Sequence, residues 1–155
     1  MHSEYWLSWY GQFQVLGKHS ESSVLAQVSE IETVQKTTLT ASLGSVPTMG
    51  PAGVARSDEV TLEPAGYDAR YSVWTAEAAN NQLELSAQVA SGSLYDPVLV
   101  VTGYSAANPP SVSLNGESLT NDVDYDVSLD VVGQKAWITF RLPWTGTTAL
   151  SISGS

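Results

Sequence analysis

The chain contains no cysteine, which removes disulfides, thiolate metal centres and cysteine nucleophiles and leaves stability to core packing. Cationic residues are scarce, with 6 Lys and Arg against 16 Asp and Glu and a formal charge of −10. So few cations cannot assemble a patch that neutralises a nucleic-acid backbone or an anionic membrane, so neither is an expected partner. Sulfated or uronate-rich polymers would also be repelled, which leaves neutral ligands as the better fit. Histidine is limited to His2 and His19, neither of them in a paired metal-binding motif. There is no GxSxG elbow and no recognisable triad spacing, so hydrolytic chemistry has no positive signature. A pair of carboxylates suited to glycoside cleavage stays open, because folding rather than spacing sets their separation. No tandem repeat is evident, and no apolar run approaches the ~20 residues of a transmembrane helix.

What is present suits one domain over residues 1–155, long enough to bury a proper core. The start, MHSEYWLSWY, has neither a positive n-region nor a continuous apolar h-region, so it does not read as a signal peptide. The expectation is a domain cut from a longer secreted protein, with Met1 and His2 belonging to a cloning start.

The clearest local pattern is DYDVSLDVVGQKAWITFR, residues 124–141. Tyr125, Val127 and Leu129 alternate with Asp124, Asp126, Ser128 and Asp130. Ala136, Ile138, Phe140 and Leu142 alternate with Lys135, Trp137, Thr139 and Arg141. Two strands of period two, joined through residues 131–134, would set Tyr125 opposite Phe140 on an oily face. On the polar face Asp130 would meet Lys135, Asp124 would meet Arg141, and Trp137 would meet Ser128.

Turn chemistry divides the rest into short segments of strand character. Glu4–Leu16 is aromatic and rich in β formers, with Gly11 marking a bend, and Lys18–Ser23 forms a turn. Ser22–Leu43 is ambiguous between a helical stripe and alternation. The branched side chains of Thr33, Val34 and Thr37–Thr40 favour strands, with a short helix at Ser22–Ser29 as the alternative. SVPTMGPAGVARS, residues 45–57, is a long irregular loop. Candidate strands follow at Glu59–Glu63, Ala69–Ala76, Gln82–Val89 and Pro97–Tyr104, and Val98–Val101 is apolar on both parities, as befits a central strand. Asn115-Gly116 signals a tight hairpin, and residues 145–147 turn the chain into a closing strand. The count is about ten strands. The expected fold is therefore all-β, an antiparallel sandwich of elaborated immunoglobulin-like or jelly-roll topology.

Chemistry concentrates in two places. Asp122, Asp124 and Asp126, with Asp130 beyond them, could offer hard oxygen ligands to Ca2+ from one strand face. The alternative is a solvated face in which Lys135 and Arg141 pair the carboxylates. The second place is aromatic. Taking the parity of Tyr71 and Val73 as the core one puts Trp74 on a polar face with Arg70 and Ser72, and Trp137 lies between Lys135 and Arg141. An indole among such groups can stack on the apolar face of a sugar while its neighbours bond the hydroxyls. The competing reading is that these rings seal the core, as most tryptophans do. Trp6, Trp9 and Tyr10 read as core or edge-covering groups and Trp144 as a cap at one end of the sandwich. Tyr67, Tyr95 and Tyr104 lie in or beside turns.

The run NPPSVSLNGESLTNDVDYDVSLD followed by AWITFRLPWTGTTALSIS resembles immunoglobulin-like β-sandwich modules appended to bacterial extracellular polysaccharide-degrading enzymes. The cues are the Val-x-Leu-Asn-Gly hairpin, the Asp-Tyr before a strand and the terminal Gly-Thr-Thr-x-Leu-x-Ile strand. They cover about the last third of the chain. Such modules include carbohydrate-binding domains and inert spacers. The resemblance implies an extracellular, noncatalytic module that binds a polysaccharide or oligosaccharide beside other domains of its parent protein. A structural spacer or cell-surface interaction sandwich is the alternative, and a small carbohydrate-active enzyme the third reading.

Overall fold

The computed structural model describes residues 29–48 and 64–155. The expected strands at Glu4–Leu16 and Glu59–Glu63, the Lys18–Ser23 turn, Trp6, Trp9, Tyr10 and most of the 45–57 loop lie outside these residues.

Ten strands are described: β1 (Thr37–Leu43), β2 (Tyr67–Asp68), β3 (Val73–Glu77), β4 (Gln82–Leu94), β5 (Val98–Thr102), β6 (Ser111–Leu114), β7 (Glu117–Ser118), β8 (Tyr125–Asp130), β9 (Lys135–Phe140) and β10 (Trp144–Ser153). They form two five-stranded sheets, in the orders β1-β4-β10-β6-β7 and β2-β3-β5-β9-β8. The fold is an all-β sandwich. Its pairings are antiparallel except β3 with β5, which run parallel. The intervening β4 lies in the opposite sheet, so the chain crosses the core twice between β3 and β5 and returns in its original direction.

The two inner faces make the core by alternation. Leu83, Leu85, Ala87, Val89, Leu150 and Ile152 from one sheet meet Trp74, Ala76, Leu99, Val101, Ala136, Ile138 and Phe140 from the other. Each fully buried Leu or Ile contributes about 1.5–3 kcal/mol relative to its exposed state. Two tyrosines fasten the crossover after β5. The Tyr104 hydroxyl donates to the Asn108 carbonyl at 2.7 Å, and that of Tyr125 donates to the Pro110 carbonyl at 2.9 Å.

The β8–β9 hairpin has the register its alternation implies, with Tyr125 opposite Phe140, Ser128 opposite Trp137 and Asp130 opposite Lys135. β5 is central in its sheet, which accounts for a strand apolar on both parities. Asn115 and Gly116 turn with φ of 51° and 86°, the left-handed pair of a tight hairpin.

Four local readings change. Residues 29–35 are helical, so Thr33 and Val34 are not strand residues. The hydroxyls of Thr33 and Thr37 donate to the carbonyls four residues back, Ser29 at 2.9 Å and Thr33 at 2.7 Å, a local bond that lets threonine sit at the end of a helix. β3 starts at Val73 rather than Ala69, because Asp68 accepts from the Arg70 backbone N–H and bends the chain. β4 continues past Val89 to Leu94. β10 begins at Trp144, and residues 145–147 lie within it, beside an irregular register between Thr145 and Gly146.

Candidate functional site

Trp137 belongs to the outer face of the β2-β3-β5-β9-β8 sheet. The inner parity of β9 is occupied by Ala136, Ile138 and Phe140, so period two turns Lys135, Trp137 and Thr139 outward. Register then builds rows across the sheet. Ser128, Trp137, Val100 and Thr75 form one row, and Asp130, Lys135, Thr102 and Glu77 form the next. The face has two halves. Val73 and Val100 point outward yet are buried, and neither joins the central cluster. The β8–β9 half is open, with Ser128 and Asp130 exposed and Trp137 at 37% exposure.

Arg141 closes one end of that half. Its Nε and Nη2 donate to the two carboxylate oxygens of Asp126 at 2.9 and 2.7 Å, a forked geometry only arginine offers. The hydrogen bond to Arg141 holds the Asp126 carboxyl below its ordinary range, and the same contact raises the guanidinium. The expected partner was Asp124, which does face Arg141 through the backbone, accepting its N–H at 2.9 Å. The Asp124 carboxylate instead accepts the Thr120 N–H at 2.8 Å, leaving the fork to its neighbour two residues along the same face. Lys135 makes no ion pair with Asp130 among the described residues, since the Asp130 carboxylate turns into the loop to accept the Gly133 N–H at 2.8 Å.

Trp74 is not on a polar face. It is 2% exposed, packs in the central cluster and lies against Tyr67 with ring centroids 4.9 Å apart. Tyr71, assigned to the core with Val73, is 69% exposed. The parity reversed because Asp68–Ser72 is a turn rather than the first half of a strand. Arg70 belongs to that turn, where its Nε and Nη2 donate to Asp68 at 3.1 and 3.0 Å and its guanidinium lies 5.6 Å from the Tyr71 ring centre. Burial alone would raise the Asp68 carboxyl, but hydrogen bonds from the Arg70 side chain and backbone outweigh it and hold the group low.

Asp122, Asp124 and Asp126 are not gathered into a cluster. Among the described residues no three acidic or histidine side chains are grouped as a metal centre would need. Asp126 is held by Arg141, Asp124 by Thr120, and Asp122 by the Asn121 amide at 3.2 Å.

Sequence reasoning missed a pocket of about 280 Å3 at one end of the sandwich. Glu30, Ile31 and Val34 line it from the helical segment, Tyr67, Ser72 and Trp74 from β2, the β2–β3 turn and β3, and Leu94, Tyr95, Asp96 and Pro97 from the end of β4 and the loop to β5. Trp74 thus closes this pocket from within the core. Only the placement of Tyr67 and Tyr95 beside turns hinted at it. Comparison with protein-family models, curated proteins and solved structures finds no match to this chain.

Proposed function

We propose that the chain is a noncatalytic carbohydrate-binding module of an extracellular carbohydrate-active protein, and that Trp137 is its sugar platform. The supporting observation is an indole 37% exposed on the open half of a sheet face, opposite Ser128 and beside Thr139, Lys135 and the Arg141–Asp126 fork. An outward indole on a sheet face can stack on a sugar's apolar face, and hydroxyls and charges at its edge bond a saccharide's hydroxyl groups. A formal charge of −10 favours neutral glycans.

Burial of Trp74 favours the second reading, a structural spacer, because it leaves one exposed tryptophan among the described residues where two were expected. A glycan array probed with the whole chain, followed by Trp137→Ala on any hit, separates the two. Loss of a productive stack costs roughly 1–3 kcal/mol, or about ten- to a hundredfold in affinity, with an unchanged melting temperature. Wild-type affinity in the variant would remove Trp137 from the site, and an array without a hit would favour the spacer.

A further inference from the structure

The end pocket has a chemistry unlike that of the Trp137 face. Its walls carry three aromatic residues, Tyr67, Trp74 and Tyr95, and two carboxylates, Glu30 and Asp96, and no Lys or Arg lines it among the described residues. Tyr95 is 68% exposed at the rim, and Glu30 and Asp96 are exposed as well. Deeper in, the Tyr67 and Ser72 hydroxyls are hydrogen-bonded to each other, within the field of Glu30. Ile31, Val34, Leu94 and Pro97 complete an apolar wall.

Each part selects a property of the ligand. Two carboxylates with no Lys or Arg beside them in the lining, among the described residues, attract positive charge. Aromatic faces add cation–π attraction and a surface for a ring. Carboxylates and hydroxyls accept hydrogen bonds, which a primary ammonium can donate and a quaternary one cannot. The volume is at the small end of ligand pockets, roughly 300–1,000 Å3, with room for one ring-sized molecule. The pocket is also shaped by backbone that side chains rarely adopt, since Ser72 and Asp96 have φ of 56° and 45°.

We infer that this pocket binds a ring-sized primary ammonium ligand, held by Glu30 and Asp96 through charge and by Tyr67, Trp74 and Tyr95 through their rings. The site is independent of the Trp137 surface. The amine can be carried by an amino sugar or by a plain ring amine, and the probes separate these sources.

The test is calorimetric titration of the whole chain at low salt with glucosamine, cyclohexylamine, glucose and N-acetylglucosamine, with NMR following the Tyr67 and Trp74 side chains. The expected result is saturable binding of glucosamine that shifts both side chains, with the two uncharged sugars about tenfold weaker or absent. Cyclohexylamine binding equally well assigns recognition to the ammonium and the ring, whereas weaker binding shows that sugar hydroxyls are read too. Glu30→Gln with Asp96→Asn should weaken glucosamine about tenfold. Both positions are exposed and asparagine tolerates left-handed backbone, so the melting temperature should hold. No saturable binding of either amine, equal affinity for glucose and glucosamine, or an unaffected double variant would overturn the inference.

Discussion

At the residue scale, the two tryptophans first grouped by their polar neighbours have opposite physical roles. Trp74 fills the space between the sheets, and truncating it would leave a large cavity that a packed interior closes only in part. Trp74→Ala is expected to lower stability by about 3–5 kcal/mol in chemical denaturation, against little change for Trp137→Ala. Equal, small losses for both would contradict the burial difference. Trp144 is a third case. It is fully buried against Phe140, with ring centroids 5.3 Å apart, while its indole N–H has no hydrogen-bond partner among the described residues. An orphaned buried donor carries its desolvation penalty of about 1–3 kcal/mol. Trp144→Phe removes that donor and keeps an aromatic ring, so it should cost far less than Trp144→Ala in the same measurement.

At the scale of elements, the hairpins show backbone and side-chain control separately. A Cβ added at Gly116 meets nothing within 4 Å, yet φ there is 86°. Gly116→Val therefore isolates conformational strain, and a loss of about 1–2 kcal/mol is expected without any clash. An unchanged midpoint in urea would show that the turn relaxes to another type. At the start of β8 and just before it, Asp126, Asp124 and Asp122 are committed to Arg141, Thr120 and Asn121 rather than to one another. Calcium is accordingly expected to leave the melting temperature where a chelator puts it. A calcium-dependent rise would mean that these contacts rearrange around a bound ion, by mass action.

For the whole molecule, pH dependence follows from a few engaged groups. Asp68 and Asp126 are held below the ordinary aspartate value of 3.8. Their stabilising contribution is present above that unfolded-state value and is lost as pH falls through the lower folded values. Burial raises Tyr67, Tyr104 and Tyr125 above the ordinary 10.0. Their contribution is complete below 10.0 and is lost as pH rises through the raised values. The melting temperature should hold between these limits and fall beyond each, and Asp68→Asn should flatten the acid side. An acid limb unchanged in that variant would show that the Asp68–Arg70 contact does not carry it.

The amino-acid sequence alone determined the features that depend on neighbours along the chain. Alternation in residues 124–130 and 135–140 set the β8–β9 register and turned Trp137 outward, because the side-chain period of a strand is two and a one-residue slip would bury its aspartates. Asn115-Gly116 specified its turn through the left-handed φ that these residues tolerate. Tertiary structure decided the rest. Val73 and Trp74 are both apolar and both buried, so local pattern could not say which faces the core until the Asp68–Arg70 contact ended the turn and β3 paired with β5. Arg141 chose Asp126 over Asp124 because Thr120, four residues away, had already engaged the latter. The end pocket is assembled from the helical segment, from β2, β3 and the turn between them, and from the end of β4 and the loop to β5. Folding across the sandwich brings these together, and no spacing along the chain records it.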